Sequence, residues 1–228
     1  SLGSTANAAL VNLSSYNEFA VWDNLTSGAA TAAGIKTGGH STPSNWVLVS
    51  DESISATFDP QNGAATTAGR LGKVATTTTG GGYFGNSSLY TANSPTTFFL
   101  EKDTSGLNVD NVVFQIRTGN TAGWIAPTLN FNGLSQNIAG TESTISEVTV
   151  AGQFGNTTTT EFLYQWDLSS ISGNINEYRI ELGTGIQTSL TEMSLASSDS
   201  FSLVVVPEPS SSALIAISAF GLIIRRKR

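Results

Sequence analysis

A chain of 228 residues can bury one sizeable core or two small ones. Charged residues make up only 12%, about half the share usual in soluble domains, so polar surface must come from Ser, Thr, Asn, Gln and Gly, a profile that suits an extracellular β protein better than a cytosolic enzyme. The net charge is −7 and cysteine is absent, which excludes disulfides, thiol catalysis, cysteine metal sites and a basic stripe able to track nucleic acid.

The first residue is Ser1 and the only methionine is Met193, so the natural start is expected to lie upstream. Residues 1–8 read as the remnant of a secretory signal peptide. Ala6 and Ala8 fit an A-x-A cleavage site before Ala9. The alternative is an ordinary flexible N-terminus.

Residues 9–206 read as one β-sandwich body. Short β-rich runs recur between Gly, Asn, Asp, Ser and Pro clusters, and helical periodicity is nearly absent before residue 210. The expected strands are Phe19–Trp22, Trp46–Val49, Ser53–Phe58, Gly72–Thr76, Thr96–Lys102, Val112–Thr118, Pro127–Phe131, Glu147–Val150, Glu161–Leu168, Glu177–Leu182 and Ser200–Val206. Three alternate with period two. Phe162, Tyr164, Trp166 and Leu168 share one face. Tyr178, Ile180 and Leu182 oppose Glu177, Arg179 and Glu181. Phe201, Leu203 and Val205 form a third apolar face. Alternation is the mark of antiparallel sheets with one wet face, so the fold class is all-β, an antiparallel sandwich or jelly roll. Turns are expected at Asp59-Pro60-Gln61-Asn62-Gly63 and at Asn132-Gly133, which would close a hairpin.

Residues 207–228 divide into three parts. Pro207-Glu208-Pro209 stops the last strand, because proline continues neither helix nor sheet. Residues 210–224 carry no charge and are apolar from Ala213, the pattern of a C-terminal hydrophobic helix. Arg225, Arg226, Lys227 and Arg228 close the chain. These four are among only ten basic residues, and Glu208 is one of 17 acids, so residues 1–206 hold 16 acids against six bases. Positive charge beside an apolar helix places that end in the cytoplasm and the acidic body outside. Fifteen helical residues span about 22 Å against a hydrocarbon core of about 30 Å, marginal for a lasting anchor but adequate for a transient signal.

This tail resembles the PEP-CTERM sorting domain of exported proteins of Gram-negative bacteria. The resemblance rests on Pro207, Glu208 and Pro209, the apolar run Ala213–Ile224, and Arg225–Arg228, and it covers about a tenth of the chain. It implies recognition by an exosortase, membrane insertion through residues 210–224, and export to the cell surface or the exopolysaccharide matrix. It names an address rather than an activity.

Chemistry in the body is thin. His40 is the only histidine, and no Gly-x-Ser-x-Gly elbow accompanies it. The carboxylate pairs Glu161 with Asp167 and Glu177 with Glu181 lie on single strands, and sequence cannot set the separation that glycoside hydrolysis needs. Of Trp22, Trp46, Trp124 and Trp166, only Trp124 follows a loop-like stretch, so it is the candidate glycan contact. Asp59, Asp103 and Asp110 sit in loops where structural calcium would find oxygen ligands, but turn formation explains them as well. The sequons at Asn12, Asn24, Asn86 and Asn156 follow from a Ser/Thr-rich composition. The expectation is a non-enzymatic surface or matrix protein with a structural or adhesive role, no required cofactor and no nucleic-acid partner. The rival readings are an exopolysaccharide-binding module, a polysaccharide-active enzyme, and a protein that self-assembles through Thr-rich edge strands.

Overall fold

The computed structural model describes residues 11, 13, 16–23, 25–35, 46–49, 69–74, 82–85, 88–92, 94–104, 107–152 and 155–206. The signal-peptide remnant, the strand expected at Ser53–Phe58, the turn at Asp59–Gly63, His40 and the entire tail 207–228 lie outside these residues.

Among the described residues there are thirteen strands and one short helix, in chain order: β1 (Glu18–Trp22), α1 (Ser27–Ala32), β2 (Trp46–Val49), β3 (Gly69–Lys73), β4 (Tyr83–Phe84), β5 (Leu89–Thr91), β6 (Thr96–Asp103), β7 (Asn111–Gly119), β8 (Ile125–Phe131), β9 (Ile138–Ala139), β10 (Thr141–Gly152), β11 (Gly155–Asp167), β12 (Glu177–Thr184) and β13 (Thr188–Ser198). They form two antiparallel sheets. The seven-stranded sheet runs β10-β11-β7-β13-β5-β4, with β1 also paired to β13; the six-stranded sheet runs β2-β3-β6-β12-β8-β9. The all-β expectation holds.

The two sheets bury their alternate faces against each other. Trp22, Phe114, Ile116, Phe162, Tyr164, Trp166, Met193 and Leu195 of the seven-stranded sheet meet Leu71, Phe98, Leu100, Leu129, Tyr178, Ile180 and Leu182 of the other in one continuous core. The alternation read for β11 and β12 therefore points inward as expected. The chain switches sheets at Gly140, between β9 and β10. A Cβ there would come within 2.8 Å of the Trp166 indole, whose Nε1–H donates to the Ile138 carbonyl at 2.9 Å.

At one end of the interior the core turns polar. Lys102 of β6 is fully enclosed, and its Nζ lies 3.6 Å from Glu18 Oε2 of β1, so an ion pair bridges the two sheets. Ser197 Oγ donates to the same carboxylate oxygen at 3.2 Å. Burial pulls the Lys102 ammonium below the usual lysine range, and Glu18 holds it up in part.

Several expectations are corrected. Residues 200–206 are not a strand. Phe201, Leu203 and Val205 face solvent at 40%, 64% and 78% exposure rather than a core. The parity is opposite: Val204 and Val206 pack inward, onto the outer face of the seven-stranded sheet. The last strand among the described residues is β13, which lies at the centre of that sheet and was not expected. The strand expected at Gly72–Thr76 lies instead at Gly69–Lys73, and Glu147–Val150 is the middle of the longer β10. Asn132 and Gly133 do form a turn, both with positive φ (51° and 68°). It opens the loop that returns the chain as β9, antiparallel to β8, so a hairpin closes here as expected.

Two substitutions test this architecture. Gly140→Ala should destabilise by about 1–3 kcal/mol in urea unfolding, because the added methyl overpacks the Trp166 corner. Glu18→Gln should cost about 3 kcal/mol by removing the carboxylate that faces the buried Lys102 ammonium, whereas the double replacement Glu18→Gln with Lys102→Met should stay within about 1 kcal/mol of wild type.

Candidate functional site

The outer face of the seven-stranded sheet is divided into a covered half and an open half. Along β7 the outward residues are Asn111, Val113, Gln115, Arg117 and Gly119. Over the first three lies a second apolar cluster: Val113, Leu163, Ile145, Phe19, Val21 and Ala196 are capped by Leu13, with Val11, Tyr16, Val204 and Val206 packed at its margin.

Two buried glutamines fasten these covering segments. Gln115 accepts from the Val11 amide at 2.8 Å and donates to the Val11 carbonyl at 3.0 Å. Gln165 accepts from the Val204 amide at 2.9 Å and donates to the Ser202 carbonyl at 2.7 Å. Each side-chain amide thus binds backbone as a neighbouring strand would. Asn111 adds a bond to the Tyr16 hydroxyl at 3.2 Å. Burial raises that phenol above its ordinary value.

Beyond Gln115 the face opens into a trough of about 430 Å³. Its lining mixes the hydroxyls of Ser146, Ser189, Thr157, Thr159 and Thr191 with Val148 and Val150, around the charged group Asp23, Arg117, Glu161 and Glu192. Arg117 lies between two carboxylates and forms ion pairs with Glu161 and Glu192. Glu161, only 2% exposed, also accepts from Ser146 Oγ at 2.6 Å through its second oxygen. Burial pushes the Glu192 carboxyl up to about 7. Arg117 opposes that shift, while Glu161 and Asp23 add to it. Three acids against one guanidinium leave the trough electronegative.

A second groove, of about 340 Å³, lies on the outer face of the six-stranded sheet. Arg179 stacks over the Phe99 ring at 4.0 Å and pairs with Glu181 at 2.7 Å. Glu101 pairs with Arg70 at 3.2 Å. Asn130 and the Asn132 turn border it.

The residues singled out in the sequence are dispersed. Trp22 and Trp166 are buried in the core. Trp124 is half-buried, stacked on Phe162 with ring centroids 5.8 Å apart, and its Nε1–H is donated to the Tyr164 hydroxyl at 2.9 Å. Glu161 and Asp167 lie six residues apart on one strand, about 20 Å. Asp167 is exposed, and its bonds from the Ser169 hydroxyl and amide hold its carboxyl below the usual range. Glu177 is exposed and Glu181 belongs to the Arg179 pair. Asp103 is exposed, while Asp110 accepts from Asn108 at 3.2 Å. Among the described residues no group of three or more His, Asp or Glu is arranged to hold a metal ion. Gln115, Gln165 and Glu192 were missed. Each is a polar residue on an outward position, where period-two alternation signals only water.

Residues 205–228 match the family model described as the PEP-CTERM protein-sorting motif. The chain therefore carries a PEP-CTERM sorting motif at its C-terminal end, which supports an exported, exosortase-sorted protein with a membrane-associated tail. The sorting residues Pro207, Glu208 and Pro209 and the basic end Arg225–Arg228 fall within the matched span. No curated protein and no solved structure matches the chain.

The trough makes a pH prediction. The Glu192 carboxyl titrates higher in the folded chain than the ordinary value of about 4.3, so the folded state binds more protons between the two values. Glu192 should therefore contribute stability that is present below about pH 4.3 and is lost as pH rises through about 7. Glu192→Gln should remove that slope in thermal melts recorded from pH 5 to 8.

Proposed function

We propose that this is a display protein of the cell surface or extracellular matrix of a Gram-negative bacterium, with a structural or adhesive role and no catalytic one. What supports the reading most is how the body joins the sorting signal. Only residues 199–206 separate β13 from Pro207, and Gln165 pins the middle of that segment to the sandwich. The body is thus held close to whatever surface retains the tail.

The charged clusters also favour a passive role. A hydrolytic carboxylate needs an oxygen open to substrate, yet both Glu161 oxygens are engaged by Arg117 and Ser146. The groove beside Arg179, with Asn130 and Asn132 at its border, suits weak hydrogen bonding to the hydroxyls of an exopolysaccharide. It is a better glycan candidate than Trp124, whose only donor is already committed to Tyr164.

The deciding measurement is the intact mass of the protein recovered from its own cells. A mass lacking the segment after Pro207–Pro209 is expected, which would make the tail a removed sorting signal. A mass retaining Arg225–Arg228 would overturn removal and make residues 210–224 a lasting anchor.

A further inference from the structure

A sandwich leaves strands at its sheet ends with one side unpaired, and each stays single by being short, charged, bulged or covered. Most edges here are short. β4 and β9 have two residues each, β2 has four, and β1, which pairs only with β13, has five. The exception is β10, with twelve. Its one partner among the described residues is β11, so along its other side every second residue presents an N–H and a C=O outward. The strand carries no proline, lysine or arginine, and its two charges are Glu142 and Glu147.

The two halves of β10 differ. At Ile145 a bulge breaks the register with β11, and that side chain joins the apolar cluster capped by Leu13. Such a bulge blunts an edge. From Ser146 to Gly152 the register is regular. This stretch also outruns the sheet. β11 meets β7 only from Thr159 onward, so Thr149–Gly152 and Gly155–Thr158 form a two-stranded arm past the end of the β7 ladder. A two-stranded arm is marginal by itself in water. Thr149 and Thr158 share a hydrogen bond at 2.9 Å on one face, while Val150, 59% exposed, lies with Val148 on the other.

We propose that Ser146–Gly152 is a self-recognition edge, pairing antiparallel with the same segment of a second copy of this chain about a two-fold axis at Thr149. A two-fold normal to the sheet joins an edge to itself with the strands antiparallel and keeps each face on its own side. Directly opposite residues then share a face, so the axis passes through a residue position. Centred on Glu147, it would set two carboxylates opposite each other, which is destabilising. Centred on Val148, it would face Val150 with Ser146. Centred on Thr149, it pairs threonine with threonine, Val148 with Val150 twice over, and Glu147 with Ala151. The valines of both copies then form one apolar patch, the two arms become four strands, and the bodies fall on opposite edges of the shared sheet. This self-complementarity selects a second copy over another protein's strand. The paired stretch is small for a stable interface, so free chains associate weakly. Many copies held at one surface, as in the display reading above, raise the effective concentration, although the pairing itself does not depend on that reading.

The chain has no cysteine, so one introduced at Thr149 reports the axis directly. Across the pair the two Cβ atoms at 149 lie about 4.5–5.5 Å apart, near disulfide geometry, whereas position 150 meets its own copy on the diagonal at about 7–8 Å. All chains keep residues 207–228 and share one mild detergent. Thr149→Cys should oxidise to a covalent dimer about tenfold faster than Val150→Cys, although both positions are exposed. In sedimentation over about a hundredfold range of concentration, Thr149→Glu and Thr149→Lys should each lose the association seen in wild type. Both should melt with wild type at the dilute end. Mixed in equal amounts, they should associate again, because each glutamate then faces a lysine. Equal cross-linking at 149 and 150, charge variants that associate as wild type does, or a mixture that stays monomeric would each overturn the axis at Thr149. A wild-type chain that stays monomeric throughout the range would overturn the pairing and leave the display reading standing.

Discussion

Two glutamine side chains decide how this sandwich is finished. Gln115 and Gln165 lie on neighbouring strands of the seven-stranded sheet, 0% and 3% exposed, and each binds backbone through both ends of its amide. A buried primary amide left without partners would cost several kcal/mol. Here the partners are the N-terminal and C-terminal segments of the chain. Those segments in turn carry Leu13, Val11, Val204 and Val206 over an apolar patch that would otherwise face water. The glutamines therefore fix register where no ladder exists, and apolar burial supplies the stabilisation.

The same sheet has a different character on each side. Inward it is aromatic, with Phe162, Tyr164 and Trp166 in sequence along β11 and Phe114 stacked beside Tyr164 at 6.3 Å. Outward it changes along its length, from an apolar half under the terminal segments to a charged trough around Arg117. That gradient lets one strand, β7, serve the core, the N-terminal clamp and the ion cluster through nine residues.

Much of this was legible in the sequence, for reasons that also explain the failures. Strands β11 and β12 follow strict alternation of large apolar residues, and their inward faces were readable. Strand β13 was not, because a bulge between Leu190 and Glu192 breaks the period. Leu190 and Met193 both point inward although three residues apart, and Ser, Thr and Ala fill the rest. Residues 200–206 misled for the opposite reason. Their alternation is real, but the inward parity belongs to Val204 and Val206, chosen by the Gln165 clamp rather than by side-chain size. The sorting tail was legible because its signal is linear. The trough was not, since Asp23, Arg117, Glu161 and Glu192 come from four strands or their ends and meet only through pairing.

The clamp at Gln165 also fixes a load path. A pull on the tail, from the membrane or from whatever later holds the chain, enters the body at Val206 and meets the Val204 and Ser202 bonds to Gln165 before it reaches β13. Those few contacts are side-chain hydrogen bonds and a small apolar patch, whereas β13 is zipped to β7 over nearly its whole length and to β1 and β5 along its other edge. The segment should therefore peel first and lengthen the tether by several residues while the sandwich stays folded. In mechanical terms residues 199–206 are a short extensible leash in series with a stiff body.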